Sequence, residues 1–489
     1  MREILIIGGG LAGSEAALQL ASSGIRVKLY DRKPSKVDGA YTLNGYAELV
    51  CNNSLGHVDE NKPLGMLLRE LKLNRSFLID IAEKCKLQDD RYFAIDIKKF
   101  SALITEEIKK HPNITLIDEE VVKLPAMENI IIASGPLTHK RLADDISRTF
   151  KLKDYAFSDA SSPIINIDDI DLSNSAIEKI SNDLYYLKLN PQRFVEFTDR
   201  LKDGEIAGEH NSIDFVPDAN THPIEKLARE DISQLRAVRF AVSDNNLVIA
   251  LRRAATLTNA FILVGCTTQL KNGSQVRAFS ALPGFEKITA DTFIRFGRMH
   301  KNTFFKTPHK LDNFFRVKQK QDVYLIGQIS GLDGYAPAIA SGLVAARRII
   351  QGKNATQFPP TTMIGALARY VANSDPKDYN PMGAVMNLIS HSNEWMLEPI
   401  WKNIVALVGE PFSTKRRSVF TYTLFDTETI LIRVENSIKD TTYKVTKSDF
   451  AKVLNAMPID GPGMINNLVW GPSYVYALLK DRRIMPWAV

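Results

Sequence analysis

The stretch from Ile4 to Asp31 constrains this chain more than any other. An apolar run, Ile4-Leu5-Ile6-Ile7, meets Gly8-Gly9-Gly10-Leu11-Ala12-Gly13; a helix-forming segment runs from Ser14 to Ser23 and stops at Gly24; a second apolar strand, Val27 to Tyr30, ends on Asp31. This is a strand, a glycine turn, a helix and a parallel strand, with an acid at the tip of the second strand. Gly8 permits the tight turn, Gly10 lets a pyrophosphate approach the backbone, and Gly13 lets the helix pack close to the sheet. Free N–H groups at the helix start attract phosphate charge. Asp31, followed by Arg32, is placed to accept hydrogen bonds from ribose hydroxyls, which favours FAD or NAD(H) over a 2′-phosphorylated dinucleotide. A glycine turn alone also fits an ordinary strand-to-helix connection; the two strands, the helix and the acid together mark a dinucleotide site.

The 489 residues suffice for two to four domains. The glycine unit begins so near Met1 that no signal peptide is expected, and no apolar run reaches membrane-spanning length. Cys51, Cys85 and Cys266 have neither metal-ligand spacing nor the pattern of a disulfide framework, so a cytoplasmic protein without a metal is expected. From Trp401 to Val489, 12 Lys and Arg stand against 8 Asp and Glu, an excess of 4 within the chain's net +6. Such a basic tail suits a polyanion such as nucleic acid, although solvated surface explains an excess this small almost as well.

Beyond Asp31 an irregular polar stretch reaches Tyr46, and Cys51 then follows an apolar turn beside Asn52, Asn53 and Ser54. A lone cysteine is commonly a small buried residue, but these polar neighbours could steady a thiolate. Phe100, Leu103, Ile104 and Ile108 recur at helical spacing before Pro112; strands follow at Ile114 to Ile117, leading to Glu119-Glu120-Val121, and at Ile130 to Ala133, leading to Ser134-Gly135-Pro136. The alternation predicts a doubly wound α/β domain. From Asp159 short strands and a charged helix, Pro191 to Leu201, predict an α+β insert carrying substrate contacts; Arg252, Arg253 and Thr221-His222-Pro223-Ile224-Glu225 lie there. A buried strand, Val323 to Ile326, then leads into a second glycine-rich turn, Gly327-Gln328-Ile329-Ser330-Gly331-Leu332-Asp333-Gly334-Tyr335, and a helix from Ala338 to Ile350. Two such turns favour a flavin. Beyond Ile389 a hairpin around Asp426-Thr427-Glu428 and a capping box at Thr446 and Asp449 are expected.

These residues resemble the folate- and FAD-dependent tRNA uracil methyltransferases, TrmFO, relatives of the GidA flavoproteins. The likeness rests on Gly8 to Ala17, Ala47 to Leu55, His111 to Thr115, Ser134 to Thr138, Met299-His300-Lys301-Asn302-Thr303-Phe304, Gly327 to Gly342 and Ile364 to Ala366. It implies a split Rossmann-type FAD-binding domain (1–158 and 286–389), an inserted α+β domain (159–285) and a small α+β C-terminal extension (390–489). The expected cofactor residues are Gly8, Gly10, Gly13, Asp31, Arg32, Val121, Gly135, Gly327, Gln328, Gly334 and Gly342. In the family NAD(P)H reduces the FAD, and methylenetetrahydrofolate supplies a one-carbon unit for carbon 5 of a uracil in RNA. Cys51 matches the flavin-side cysteine, and Tyr335 is expected to pack on the flavin ring. Thr221, His222, Arg252, Arg253, His300 and Asn302 are candidate substrate contacts.

Two departures matter. Thr221 stands where the family has a second cysteine, and a threonine hydroxyl is a poor nucleophile at neutral pH. The second turn reads Asp333-Gly334-Tyr335-Ala336-Pro337-Ala338, one carboxylate fewer than the family pattern. Three functions therefore compete: uracil methylation in RNA; folate-free flavin oxidation or cleavage of a substituent on a modified pyrimidine, with DNA as a candidate substrate; and a non-catalytic, FAD-stabilised nucleic-acid-binding protein.

Overall fold

The computed structural model describes residues 3–33, 43–89, 91–125, 129–207, 222–230, 232–235, 240–243, 246–254, 259–390, 396–434, 442–457 and 459–485. Five parallel strands form the first sheet, in the order Val323–Leu325, Ile130–Ile132, Glu3–Ile7, Arg26–Asp31 and Ile114–Asp118. Ile4 to Ile7 and Ile130 to Ile132 are buried throughout, which is why they read as unbroken apolar runs. The chain leaves Glu3–Ile7 toward Arg26–Asp31 on one side and returns to its other side at Ile130–Ile132. A sheet wound outward both ways opens a crevice at the carboxyl ends of its central strands.

The first helix spans Leu11–Ser22, starting three residues before the expected Ser14 because extended Gly10 serves as its N-cap. Leu11 to Leu18 are all buried. The long helix Tyr335–Gln351 likewise starts before Ala338, since Pro337 falls in the first turn, where a missing N–H breaks no helical bond. The two helices meet so closely that a Cβ on Gly342 would stand 2.3 Å from the Ala12 carbonyl oxygen.

The inserted region forms an antiparallel sheet in the order Phe293–Arg295, Ile164–Asn166, Ala260–Leu263, Asn246–Arg253, Leu184–Leu189 and Ile177–Ser181, with Ala241–Ser243 also paired to Asn246–Arg253. Its edge strand Phe293–Arg295 lies past the boundary at 285 that the sequence suggests, because it pairs with Ile164–Asn166. The helix Pro191–Lys202, capped by Asn190, buries Phe194, Phe197 and Leu201 on one face. Phe197, Phe279 and Phe293 follow one another at ring-centroid distances of 5.9 and 6.3 Å. Burying each such ring contributes about 1.5–3 kcal/mol. The antiparallel ribbon of Asp154–Ala160 and Met299–Phe305 carries the chain into and out of the insert.

Thr356–Ala366 and Asn387–Val489 form a separate compact unit. The segment 356–366 thus leaves the nucleotide domain to which the sequence assigns it; the Ser390 N–H donates to the Pro360 carbonyl at 2.8 Å. This unit has an antiparallel sheet, Phe412–Ser413, Val419–Asp426, Thr429–Val434 and Thr442–Thr446, with the expected hairpin bulged between Leu424 and Asp426. Phe420, Tyr422, Ile430, Ile432 and Val445 pack in one core with Trp401, Phe450, Val475 and Leu478. The capping box of Thr446 and Asp449 is present. The alternate positions Arg433 and Lys444 are exposed.

Candidate functional site

A cavity of about 410 Å³ lies over the carboxyl end of the parallel sheet, and the segments leaving all five strands line it. Gly8 to Ala12 follow the first strand, Asp31 and Arg32 the second, and Glu119 to Val121 the third. Ser134 to Thr138 and Gly327-Gln328 complete the rim from the remaining two. The helices starting at Leu11 and Tyr335 both begin at this wall, so two sets of unpaired N–H groups face the space.

The glycines divide by what they serve. A Cβ on Gly8, at φ +103°, would stand 2.4 Å from the Ala133 carbonyl oxygen, and one on Gly13 would stand 1.9 Å from that of Gly8. Protein packing alone requires glycine there. Gly10 has φ −70° and a Cβ on it would meet nothing within 4 Å, yet it lines the cavity. Folding does not demand glycine at position 10; the bare backbone there leaves room for the close approach that a pyrophosphate needs. Gly13 and Gly342 act as helix-packing positions behind the cavity and do not line it.

Asp31 accepts the Gly9 N–H through Oδ2 at 2.6 Å and the Lys33 N–H through Oδ1 at 2.9 Å, keeping further lone pairs for ribose hydroxyls. Behind it Lys33 and Glu48 form a buried ion pair at 3.1 Å, and Arg32 reaches Glu120 at 3.5 Å. On the opposite rim Thr138 Oγ1 donates to the Gly135 carbonyl at 2.6 Å, and the Gly327 N–H donates to Ser341 Oγ at 2.8 Å. These groups fit FAD: a helix N-terminus beside bare backbone for the pyrophosphate, and a carboxylate at the second strand tip for the ribose.

Cys51 is half-buried and lines the same cavity, as do Tyr335 and Asn302. The Tyr335 hydroxyl accepts the N–H groups of Cys51 at 2.7 Å and Asn52 at 3.1 Å. Burial, with Cys51 beside it, raises the phenol's pKa well above the ordinary tyrosine value. Two of the polar neighbours of Cys51, Asn53 and Ser54, direct their side-chain donors elsewhere. Asn53 Nδ2 donates to the carbonyls of Ile95 and Arg253, Ser54 Oγ to that of Gly56, and Asn52 Oδ1 accepts the Ser54 N–H. Arg295 comes to the cysteine loop instead, with Nη1 donating to the Val50 carbonyl at 2.7 Å.

The model of the family described as glucose inhibited division protein A, GidA, matches residues 3–356. The chain belongs to this family. It is 34% identical over 411 residues to the methylenetetrahydrofolate–tRNA-(uracil-5-)-methyltransferase TrmFO of Caldicellulosiruptor bescii, covering 80% of this chain and 93% of that one. To the Prochlorococcus marinus protein of the same name it is 35% identical over 424 residues, covering 79% and 90%. Among solved structures, Aquifex aeolicus GidA superposes with a TM-score of 0.59 at 14% identity, covering 86% of this chain and 80% of that one. The fold of this GidA-family chain is accordingly the Rossmann-type FAD-binding fold.

Several candidate substrate residues lie away from the cavity. Arg252 is 2% exposed, with Nε 2.6 Å from Asp89 Oδ2 and its guanidinium over the Tyr92 ring. Arg253 is bound to Asp183 at 2.8 Å and covers Phe261. Arg253 braces the insert internally, Arg252 ties the insert to the Asp89–Tyr92 segment of the nucleotide domain, and buried Arg252 has no surface to offer a phosphate. His222 sits near Lys226, at 3.5 Å, and does not line the cavity. Thr221 lies outside the described residues, as does the side chain of His300, whose backbone is in the strand Met299–Phe305. Lys33, Glu48 and Arg295 are the site residues that sequence reasoning missed. For Lys33 the signal was its place just after the strand-tip acid; Arg295 left none, because its partners are 133 and 245 residues away.

No helix among the described residues is long and apolar enough to cross a membrane.

Proposed function

We propose that this chain is an FAD-dependent enzyme that methylates carbon 5 of a uracil in RNA, with methylenetetrahydrofolate as one-carbon donor and NAD(P)H as reductant. The observation that carries the reading is Cys51 in the wall of the cavity lined by the segments leaving all five parallel strands. The names of its relatives support the same reaction and an RNA substrate.

Bound FAD supplies the hydride and one-carbon chemistry. The chain binds and orients: the N–H groups around Gly10 and Leu11 receive the pyrophosphate, Asp31 the ribose, and Tyr335 holds the Cys51 backbone. Among the described residues Cys51 is the only cysteine lining the cavity, since Cys85 and Cys266 are buried elsewhere. With threonine at 221, the thiol available to the reaction is Cys51. The RNA backbone meets the C-terminal unit, where Lys415, Arg416, Arg417, Arg433 and Lys444 are exposed and Lys444 lies over the exposed Phe425 ring at 4.5 Å.

Incubation with labelled methylenetetrahydrofolate, NADPH and bulk RNA, followed by nucleoside mass spectrometry, tests the proposal. Label in 5-methyluridine is expected; its absence from uracil overturns the reading.

A further inference from the structure

Arg295 ends the edge strand Phe293–Arg295 of the inserted sheet and turns toward the cysteine loop of the nucleotide domain. Its Nη1 donates to the Val50 carbonyl at 2.7 Å and its Nη2 to that of Ser162 at 3.3 Å. Its Nε is buried without a hydrogen-bond partner. A guanidinium placed there is costly, because burial opposes its charge. The charged and titratable groups that face it are Cys51, Tyr335 and Glu48, with Arg298 as a like charge. Two neutral carbonyls compensate a buried cation poorly, whereas an anion beside it does so well. Asn53 and Ser54 direct their side-chain donors to backbone carbonyls, whereas the Arg295 guanidinium is hydrogen-bonded to the loop itself at Val50.

We infer that Arg295 is the positioning residue of Cys51: it ties the Val50 peptide to the inserted sheet and sets a positive charge beside the thiol, so that Cys51 meets the cavity as the thiolate. The inference deepens the proposed function by naming what activates its one cavity-lining cysteine, but its test needs neither RNA nor folate.

Iodoacetamide alkylation of the protein as isolated, followed across pH by mass spectrometry of the Cys51 peptide, reads the thiolate directly. Wild-type protein should alkylate with a midpoint below the ordinary thiol value of about 8.5. Arg295→Gln should raise that midpoint by about one unit, slowing alkylation roughly 10-fold at neutral pH. Arg295→Lys, which keeps the charge, should stay near wild type. Matching profiles for wild type and Arg295→Gln overturn the proposal, as does an equal displacement in Arg295→Lys. Should Arg295→Gln fail to fold, the wild-type midpoint decides: a value at or above that of a free thiol overturns it.

Discussion

The Tyr335 hydroxyl lies 2.7 Å from the backbone nitrogen of Cys51, 284 residues away in the chain, and joins the second glycine turn to the cysteine loop. One phenol oxygen thereby satisfies two backbone N–H groups at the cavity wall. Tyr335→Phe leaves the partly buried Cys51 N–H without that acceptor, at about 1–3 kcal/mol, while the exposed Asn52 N–H turns to water. Urea denaturation should show a loss of this size, and absorbance should show weakened flavin retention. A variant as stable as wild type that holds flavin equally well contradicts the role.

Gly10 and Gly13 should fail in different ways. At position 13 an added methyl meets the Gly8 carbonyl oxygen at 1.9 Å, so Gly13→Ala should destabilise the fold itself by about 1–3 kcal/mol. At position 10 the methyl meets no protein atom, so Gly10→Ala should keep the apoprotein's denaturation midpoint while losing bound flavin. Comparing midpoint with flavin absorbance for the pair separates folding from ligand approach.

Tyr46 provides a pH signature. Its pKa is pushed up to about 12 by burial first and then by the charges of Asp31 and Asp118. Because the folded value lies above the unfolded one of about 10, the folded state holds the proton more tightly. The associated stability is complete below about pH 10 and is lost as pH climbs toward about 12. The difference between wild type and Tyr46→Phe in alkaline denaturation should narrow across that window; a constant difference contradicts the assignment.

Arginines should separate by location. Arg252→Ala strands the buried Asp89 carboxylate and should cost about 3–5 kcal/mol of stability. Arg433→Ala with Lys444→Ala should leave stability nearly unchanged and weaken binding of single-stranded RNA. Each lost phosphate contact should lower the salt-dependence slope of binding by about 0.7. Anisotropy titrations at several salt concentrations read this, and an unchanged slope would remove these two residues from the RNA surface.

Much of this molecule is decided within short windows of its sequence. The run Ile4 to Ile7, the glycine turn and the acid at Asp31 specify a βαβ unit because strand burial, turn geometry and helix initiation are all local. The same holds for the Asn190-capped helix and the hairpin at Asp426 to Glu428. Element starts were less legible. Leu11 and Tyr335 open their helices earlier than periodicity suggests, because Gly10 and Gly334 act as caps beside the cavity.

Only tertiary structure decided the partners. The pair Arg252-Arg253 resembles a nucleic-acid contact in sequence, yet Asp89 of the nucleotide domain and Asp183 of the insert take up the two guanidinium groups. Asn53 and Ser54 resemble thiolate donors, yet backbone carbonyls take their hydrogen bonds and Arg295 arrives from another sheet. The physical reason is the same in each case. Sequence specifies a strand or turn through its own periodicity, but the charge beside a side chain comes from whatever distant segment folding packs against it.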